Sequence, residues 1–263
     1  MKYILEIRNL SGGYVPLINI LQDVSLELVS GETVSIIGLN GSGKSTLGKA
    51  VMNMLPYRDG DILFEDRSVV GFTTHDLARI GMAFMLQGGQ VFKSLSVQEN
   101  LQLAFRRQND QSYITLLESI IPLFQDSGND LGSKMADKLS GGQRQQLALA
   151  MALAVKPRLL ILDEPSAGLS PGAVDDMYRI LGCVRDKMNI SILLIEQNIN
   201  KAITFSDRCV LLEQGRIAHT ITNPNINEIE CLMLKNNSHE KSFIHYCVMR
   251  SMFDWIQFLS IQT

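Results

Sequence analysis

Apolar and polar residues alternate across residues 3–35, with Ile4, Leu5 and Ile7, then Val24, Leu26 and Leu28, on the apolar positions. The pairs Gly12-Gly13 and Ser30-Gly31 punctuate that alternation, so the stretch predicts antiparallel strands joined by turns. Thr33 to Ile37 predicts a buried strand, and a helix is expected from Ser45 to about Leu55, where Pro56 stops it. Asp61 to Phe64 predicts one more strand. From about Ser94 to Phe124 the period becomes helical, through Val97, Leu101 and Ala104 and then Leu116, Ile120 and Leu123. Polar linkers flank it, Gln87-Gly88-Gly89-Gln90 on one side and Ser127-Gly128-Asn129-Asp130 on the other. The segment, about 88–140, therefore reads as a helical subdomain inserted into a strand–helix core.

After Gln143 the expected order is helix, strand (Leu159–Leu162), helix (about Gly172–Lys187), strand (Ile192–Ile195), helix and strand (Val210–Glu213). Such alternation implies a mainly parallel sheet with helices on its faces. The expected fold class is α/β, with an N-terminal antiparallel β subdomain and the helical insertion. Neither an internal repeat nor a low-complexity tract interrupts it.

At 263 residues the chain can bury a large core. Its net charge of −3 and pI near 5.8 give no basic field that would attract nucleic acid. Cys183, Cys209, Cys231 and Cys247 are scattered without a C-x-x-C spacing, which fits a reduced, cytosolic chain with no zinc site. Met1-Lys2-Tyr3-Ile4-Leu5-Glu6 meets charge too early for a signal peptide. No apolar run approaches the roughly 18 residues of a membrane-spanning helix; Leu147 to Val155 is apolar but stops at Lys156-Pro157.

Three short motifs carry chemistry. Gly38-Leu39-Asn40-Gly41-Ser42-Gly43-Lys44-Ser45, followed by Thr46, fits G-x-x-x-x-G-K-[ST] between an expected strand and helix. Its glycines let successive backbone N–H groups point inward at a phosphate, and the following helix adds its positive end. Lys44 would neutralise β- and γ-phosphates, and Ser45 would offer a hydroxyl to Mg²⁺. A glycine turn with no ligand is the plain alternative, disfavoured by the flanking strand and helix.

Leu159-Leu160-Ile161-Leu162 ends in Asp163-Glu164. A strand buried on both faces would deliver Asp163 to its carboxyl edge, where α/β sheets bind ligands, to hold Mg²⁺ through water. Glu164 would orient and deprotonate the attacking water. An acidic pair at a strand end is by itself ordinary turn chemistry; the phosphate loop upstream is what gives it a catalytic meaning.

Leu139-Ser140-Gly141-Gly142-Gln143 precedes a run of good helix formers. Ser140 is thus expected as a helix N-cap, and the same open N-terminus can receive an anion through the Ser140 hydroxyl and the Gly142 N–H. One nucleotide cannot easily reach both this corner and the phosphate loop of its own chain, so a head-to-tail dimer would reconcile the two.

With these motifs in order, residues 3 to about 235 resemble the ATP-binding subunit family of ABC transporters. The resemblance implies ATP and Mg²⁺ as ligands. It implies Tyr14 as the aromatic that stacks on adenine, although a lone tyrosine is more often strand packing. It implies Gln87, after an apolar strand, as a Mg²⁺ contact facing the membrane subunit. It also implies a second ATP-binding subunit and transmembrane permeases as partners, with a solute-binding protein in the full system, and a place on the inner face of the membrane.

Pro165-Ser166-Ala167-Gly168-Leu169 completes the pattern, and two positions depart from it. Ser170 stands where the family often has aspartate, and Gln197 where it usually has histidine. Gln197 can hydrogen-bond a γ-phosphate but carries no proton or charge, which shifts the catalytic load to Glu164 and Lys44. Both departures resemble the branch serving branched-chain amino-acid importers, while Gln87-Gly88-Gly89 departs from that branch. A soluble ABC-type ATPase acting on nucleic acid is the competing class. It is disfavoured by the acidic pI, by a single cassette, and by the absence of sustained heptads between the loop and Leu139. A weakly hydrolysing regulatory module is the third.

Beyond the polar break Lys235-Asn236-Asn237-Ser238, residues 236–263 form an extension. Ile244, Val248, Met252, Trp255 and Leu259 would share one helical face, with packing on protein the favoured use. His239, His245 and Cys247 have no ligand spacing.

Overall fold

The computed structural model describes residues 2–106, 108–125 and 131–235. The polar linker at 127–130 and the amphipathic face expected at 244–259 lie outside the described residues. The chain divides at Asn223 into two compact units. Of the second, residues 224–235 are described, and they contain one helix, Ile226–Lys235.

In the first unit the alternating N-terminal stretch forms β1 (Tyr3–Gly13) and β2 (Leu21–Val29), paired antiparallel with Leu5 opposite Leu28. Strand β3 (Thr33–Ile37) leads into α1 (Lys44–Val51). Strands β4 (Tyr57–Phe64) and β5 (Arg67–Ser68) complete the antiparallel sheet in the order β2-β1-β4-β5. After α2 (Thr74–Arg79) and β6 (Met82–Met85) comes the helical segment, broken into α3 (Val97–Phe105), α4 (Gln111–Ile120) and α5 (Pro122–Gln125). Then follow α6 (Gly141–Leu153), β7 (Leu159–Asp163), α7 (Pro171–Met188), β8 (Ser191–Ile195), α8 (Ile199–Phe205), β9 (Arg208–Glu213) and β10 (Arg216–Thr222). The second sheet runs β10-β9-β3-β8-β7-β6, parallel except where β10 turns back on β9.

Every residue of β3, β7 and β8 is buried because this sheet is covered on both faces. The period of two sorts their side chains. Leu159, Ile161, Leu193 and Ile195 join the core shared with α1 and the antiparallel sheet. Leu160, Leu162, Ile192 and Leu194 join the core of α6, α7 and the helical insertion. Each such burial contributes roughly 1.5–3 kcal/mol. The four-residue apolar run of β7 therefore offsets the several kcal/mol that burying its terminal carboxylate costs.

Helix α1 ends at Val51, earlier than the proline at 56 suggests. Met52 is the C-cap, and Asn53 takes a left-handed φ of 54° while its amide donates to the carbonyls of Val69 and Phe72. The break comes from that local turn, and Pro56 lies beyond it. Strand β4 begins four residues before the expected Asp61, and β10 was not expected. No helix among the described residues is long and apolar enough to cross a membrane.

Candidate functional site

The carboxyl ends of β3, β7 and β8 lie side by side in the sheet, so the segments following them meet at one edge. Residues 38–43 follow β3, and Gly43 is the N-cap of α1. With no side chain there to cap it, the first-turn N–H groups of α1 remain open to a ligand. Lys44 is buried at 5 % exposure, and its Nζ donates to the carbonyls of Gly38 and Leu39, each at 2.9 Å. Desolvation lowers its pKa, and Glu164 and then Asp163 oppose that shift. The cation is thus held by two carbonyls of its own loop. The Ser42 hydroxyl is buried without a hydrogen-bond partner among the described residues, a polar atom that a phosphate oxygen would satisfy.

Asp163 closes β7 at 3 % exposure and accepts from Ser45 Oγ at 2.9 Å. Burial raises its pKa most, the Ser45 hydrogen bond lowers it, and the neighbouring Glu164 charge raises it again. One hydroxyl and one carboxylate joined in this way are hard oxygen donors of the kind Mg²⁺ takes when substrate phosphates supply the rest. No cluster of three or more His, Cys, Asp or Glu suited to a metal occurs among the described residues.

Glu164 sits just past the strand in a left-handed backbone conformation, φ 49°, uncommon for a glutamate. Its Oε2 accepts from the Gln87 side-chain amide and its Oε1 from that of Gln197. Two glutamines from separate loops, after β6 and after β8, therefore converge on the carboxylate. Gln87 is placed on Glu164, and its amide oxygen remains free of that contact for a cation.

Ser140 is the N-cap of α6, with a complete capping box: its hydroxyl accepts from Gln143 N–H at 3.2 Å, and Gln143 Oε1 accepts from Ser140 N–H at 3.1 Å. The plain helix-cap role is thus present. The hydroxyl proton and the Gly142 N–H are not used by the box and remain donors that an anion could take up. Among the described residues the side-chain hydrogen bonds of this corner stay inside it, and none reaches the phosphate loop. Tyr14 lies exposed after β1, with Lys49 Nζ 5.5 Å from its ring centroid.

Three contributors were not singled out from the sequence. Lys49 stands one turn after Ser45 on α1, so helical spacing alone could have placed it toward the site. Glu196 is buried at 2 % exposure beside Gln197, with no sequence signal beyond its position at a strand end. Gly215 lies in the turn between β9 and β10, where its N–H donates to Ser42 O at 2.9 Å. It has φ 78°, and a Cβ there would stand 1.8 Å from Ile20 O, a contact the main chain cannot relieve by side-chain rotation. Gly38 is similarly pinned, a Cβ meeting Leu212 O at 2.2 Å. The β9 end and its turn thus form the floor of the phosphate loop. Gly215→Ala is expected to destabilise the protein by roughly 2–4 kcal/mol, combining a left-handed alanine with overpacking. Nucleotide affinity should fall with it as Ser42 shifts. Urea unfolding and a fluorescent-nucleotide titration check both.

Comparison with known proteins supplies the remaining findings. Residues 21–167 match the family described as ABC transporter. The chain is 35% identical, over 221 residues, to a high-affinity branched-chain amino acid transport ATP-binding protein of Pseudomonas aeruginosa, spanning 82% of this chain and 94% of that one. It is 33% identical, over 202 residues, to a lipopolysaccharide export system ATP-binding protein of Escherichia coli, spanning 76% and 83%. Among solved structures it resembles a nucleotide-free ATP-binding cassette from an ABC transporter, with TM-score 0.73 and 26% identity over 87% of this chain and 94% of that chain.

Proposed function

The chain belongs to the ABC transporter family, and from that premise we propose that it is the ATP-hydrolysing subunit that energises solute transport through partner membrane permeases. The observation that carries this reading is the junction of the phosphate loop with the acidic strand end, Ser45 Oγ on Asp163, with Glu164 next to it and held by two amides.

Lys44 exchanges the carbonyls of Gly38 and Leu39 for the β- and γ-phosphate oxygens of ATP. Backbone N–H groups at the uncapped start of α1 take the remaining phosphate charge. Ser45 and Asp163, with the Gln87 amide oxygen, would hold Mg²⁺, which when bound supplies charge neutralisation across the phosphates. Tyr14 offers a ring face to adenine. Glu164 acts as general base toward the attacking water, and each of its oxygens, while accepting one amide N–H, keeps a second lone pair for that water. Gln197 donates to Glu164 and would offer a γ-phosphate a neutral hydrogen-bond donor without acid–base function.

The Ser140 corner completes a site only when it comes from another subunit. A pair of chains arranged head to tail would bury two ATP molecules, each between the Lys44 loop of one and Ser140, Gly141, Gly142 and Gln143 of the other. Closure and reopening of this pair, passed through the helical insertion, would drive the permeases. The subunit would then lie against the cytoplasmic face of the membrane through them.

The relatives' names divide on cargo, since one serves branched-chain amino acids and another lipopolysaccharide export. We favour a small solute of the branched-chain amino-acid class, with a solute-binding protein in the complete system, on Glu196-Gln197-Asn198 and on Ser170. A weakly hydrolysing regulatory module is the second reading, and the observation favouring it is that the side chain placed on Glu164 after β8 is Gln197, which has no acid–base function, with Ser170 as the other departure.

Multiple-turnover phosphate release by the full chain separates the two. We expect sustained Mg²⁺-dependent release, lost on addition of excess EDTA. A single burst equal to the protein present, with no further turnover, would point to the regulatory module. Membrane co-purification with amino-acid permeases tests the cargo.

A further inference from the structure

Glu196 follows β8 directly and is buried at 2 % exposure, yet no step of the proposed reaction uses it. Its carboxylate is fully engaged. Oε1 accepts from Ser166 Oγ at 2.5 Å and Tyr178 Oη at 2.7 Å. Oε2 accepts from the backbone N–H groups of Gln197 at 2.9 Å and Asn198 at 3.0 Å. These four donors come from three places: the loop leaving Glu164, helix α7, and the segment carrying Gln197.

A buried carboxylate with four donors resists rearrangement, because losing any one leaves charge uncompensated in a low-dielectric interior. With both N–H groups of residues 197 and 198 bound, the backbone bearing Gln197 has little freedom to turn. Two further contacts fix the surroundings. Asn198 caps α8 by accepting from Lys201 N–H at 3.2 Å, and Lys201 Nζ lies 5.7 Å from the centroid of the Tyr178 ring. The Gln197 side chain projects from this fixed backbone onto Glu164.

We propose that Glu196 is a positioning residue for the reaction, setting the Gln197 amide against the Glu164 carboxylate and tying that setting to the Ser166 loop. The assignment rests on the reading of Glu164 as the base in ATP hydrolysis. Glu196 touches no reacting atom. Its effect passes through Gln197, so removing its charge changes how the base is presented and leaves the phosphate loop untouched. Because Ser166 bonds the same carboxylate, a displacement of the loop leading to Ser170 and α7 reaches Gln197 through one buried group.

Steady-state ATP hydrolysis by the full chain tests this, with circular dichroism confirming that each variant is folded. Glu196→Gln should lower kcat by about tenfold, as expected for a misplaced catalytic group, and leave KM within about twofold. In a Gln197→Ala background the same change should lower kcat by less than about twofold, since the group it acts through is gone. A purely structural Glu196 would cost the same factor in both backgrounds, and that result overturns the assignment. So does an unchanged kcat in Glu196→Gln. Should that variant not fold, Ser166→Ala and Tyr178→Phe, each removing one donor of four, enter the same cycle with the same criterion. A wild-type chain that binds ATP without turnover overturns the hydrolytic reading and this one with it. A hydrolysing wild type with additive cycles overturns this one alone.

Discussion

Glu164→Gln is expected to abolish ATP turnover while leaving ATP binding intact. The change is nearly isosteric, and the contacts that would hold nucleotide, Lys44 on the loop carbonyls and Ser45 on Asp163, do not involve residue 164. Gln87 and Gln197 both donate to the native carboxylate, so one of them must flip its amide to suit the new NH₂ group. That adjustment costs little at two exposed side chains. The loss of a proton acceptor cannot be compensated by the two side chains bonded to residue 164, because neither Gln87 nor Gln197 has a basic atom. General-base catalysis contributes typically 10²–10⁴-fold, so kcat should fall by about that factor with the nucleotide dissociation constant within about threefold. Nucleotide-bound dimers should then persist if, as proposed, hydrolysis is the step that reopens the pair. Phosphate release and size-exclusion chromatography with light scattering give the two readouts. Unchanged turnover would remove Glu164 from its role.

Residue chemistry explains which parts of this site could be read in advance. The phosphate loop needs glycines, a lysine and a hydroxyl at fixed spacing, so Gly38 to Ser45 is visible in any strand–helix context. The β7 run is equally plain, since a strand buried on both faces must be continuously apolar until its end. Convergence in space has no such local mark. Gln87, Glu164 and Gln197 are far apart in sequence and meet only because β6, β7 and β8 are neighbours in the sheet. Glu196 is a buried anion that accepts from its two following backbone N–H groups and from Ser166 and Tyr178, and the last two reach it only through tertiary structure. Strand β10 escaped notice because its residues are mostly exposed and show no alternation. Gly215 escaped with it, although it fixes the floor of the loop. The end of α1 has a different cause: a left-handed asparagine breaks the helix before the proline is reached.

Ser140 can cap α6 and still donate to an anion, and two substitutions separate the two roles. The serine caps α6, and replacing a capping side chain costs about 1 kcal/mol. Ser140→Arg loses that cap and places a cation where the helix already presents positive charge, a further penalty of about 0.3–1 kcal/mol. Neither loss approaches the stability of a domain, roughly 5–15 kcal/mol. The variant should therefore fold. It should bind ATP as a monomer nearly as well as wild type, since the Lys44 loop is unaltered, and it should fail to dimerise with nucleotide. Ser140→Asp is the sharper variant. Aspartate is among the best N-caps and keeps the hydrogen bond to Gln143 N–H, so α6 should be as stable as before. In the proposed head-to-tail pair it would also set a carboxylate against the γ-phosphate of the facing subunit, where like charges repel, and remove the hydroxyl proton that would be donated. Dimerisation with ATP should fail in this variant too, measured by analytical ultracentrifugation in a Glu164→Gln background to hold the closed state. If Ser140→Asp dimerises like its parent, the corner serves α6 as a helix cap and the second phosphate contact must be sought elsewhere.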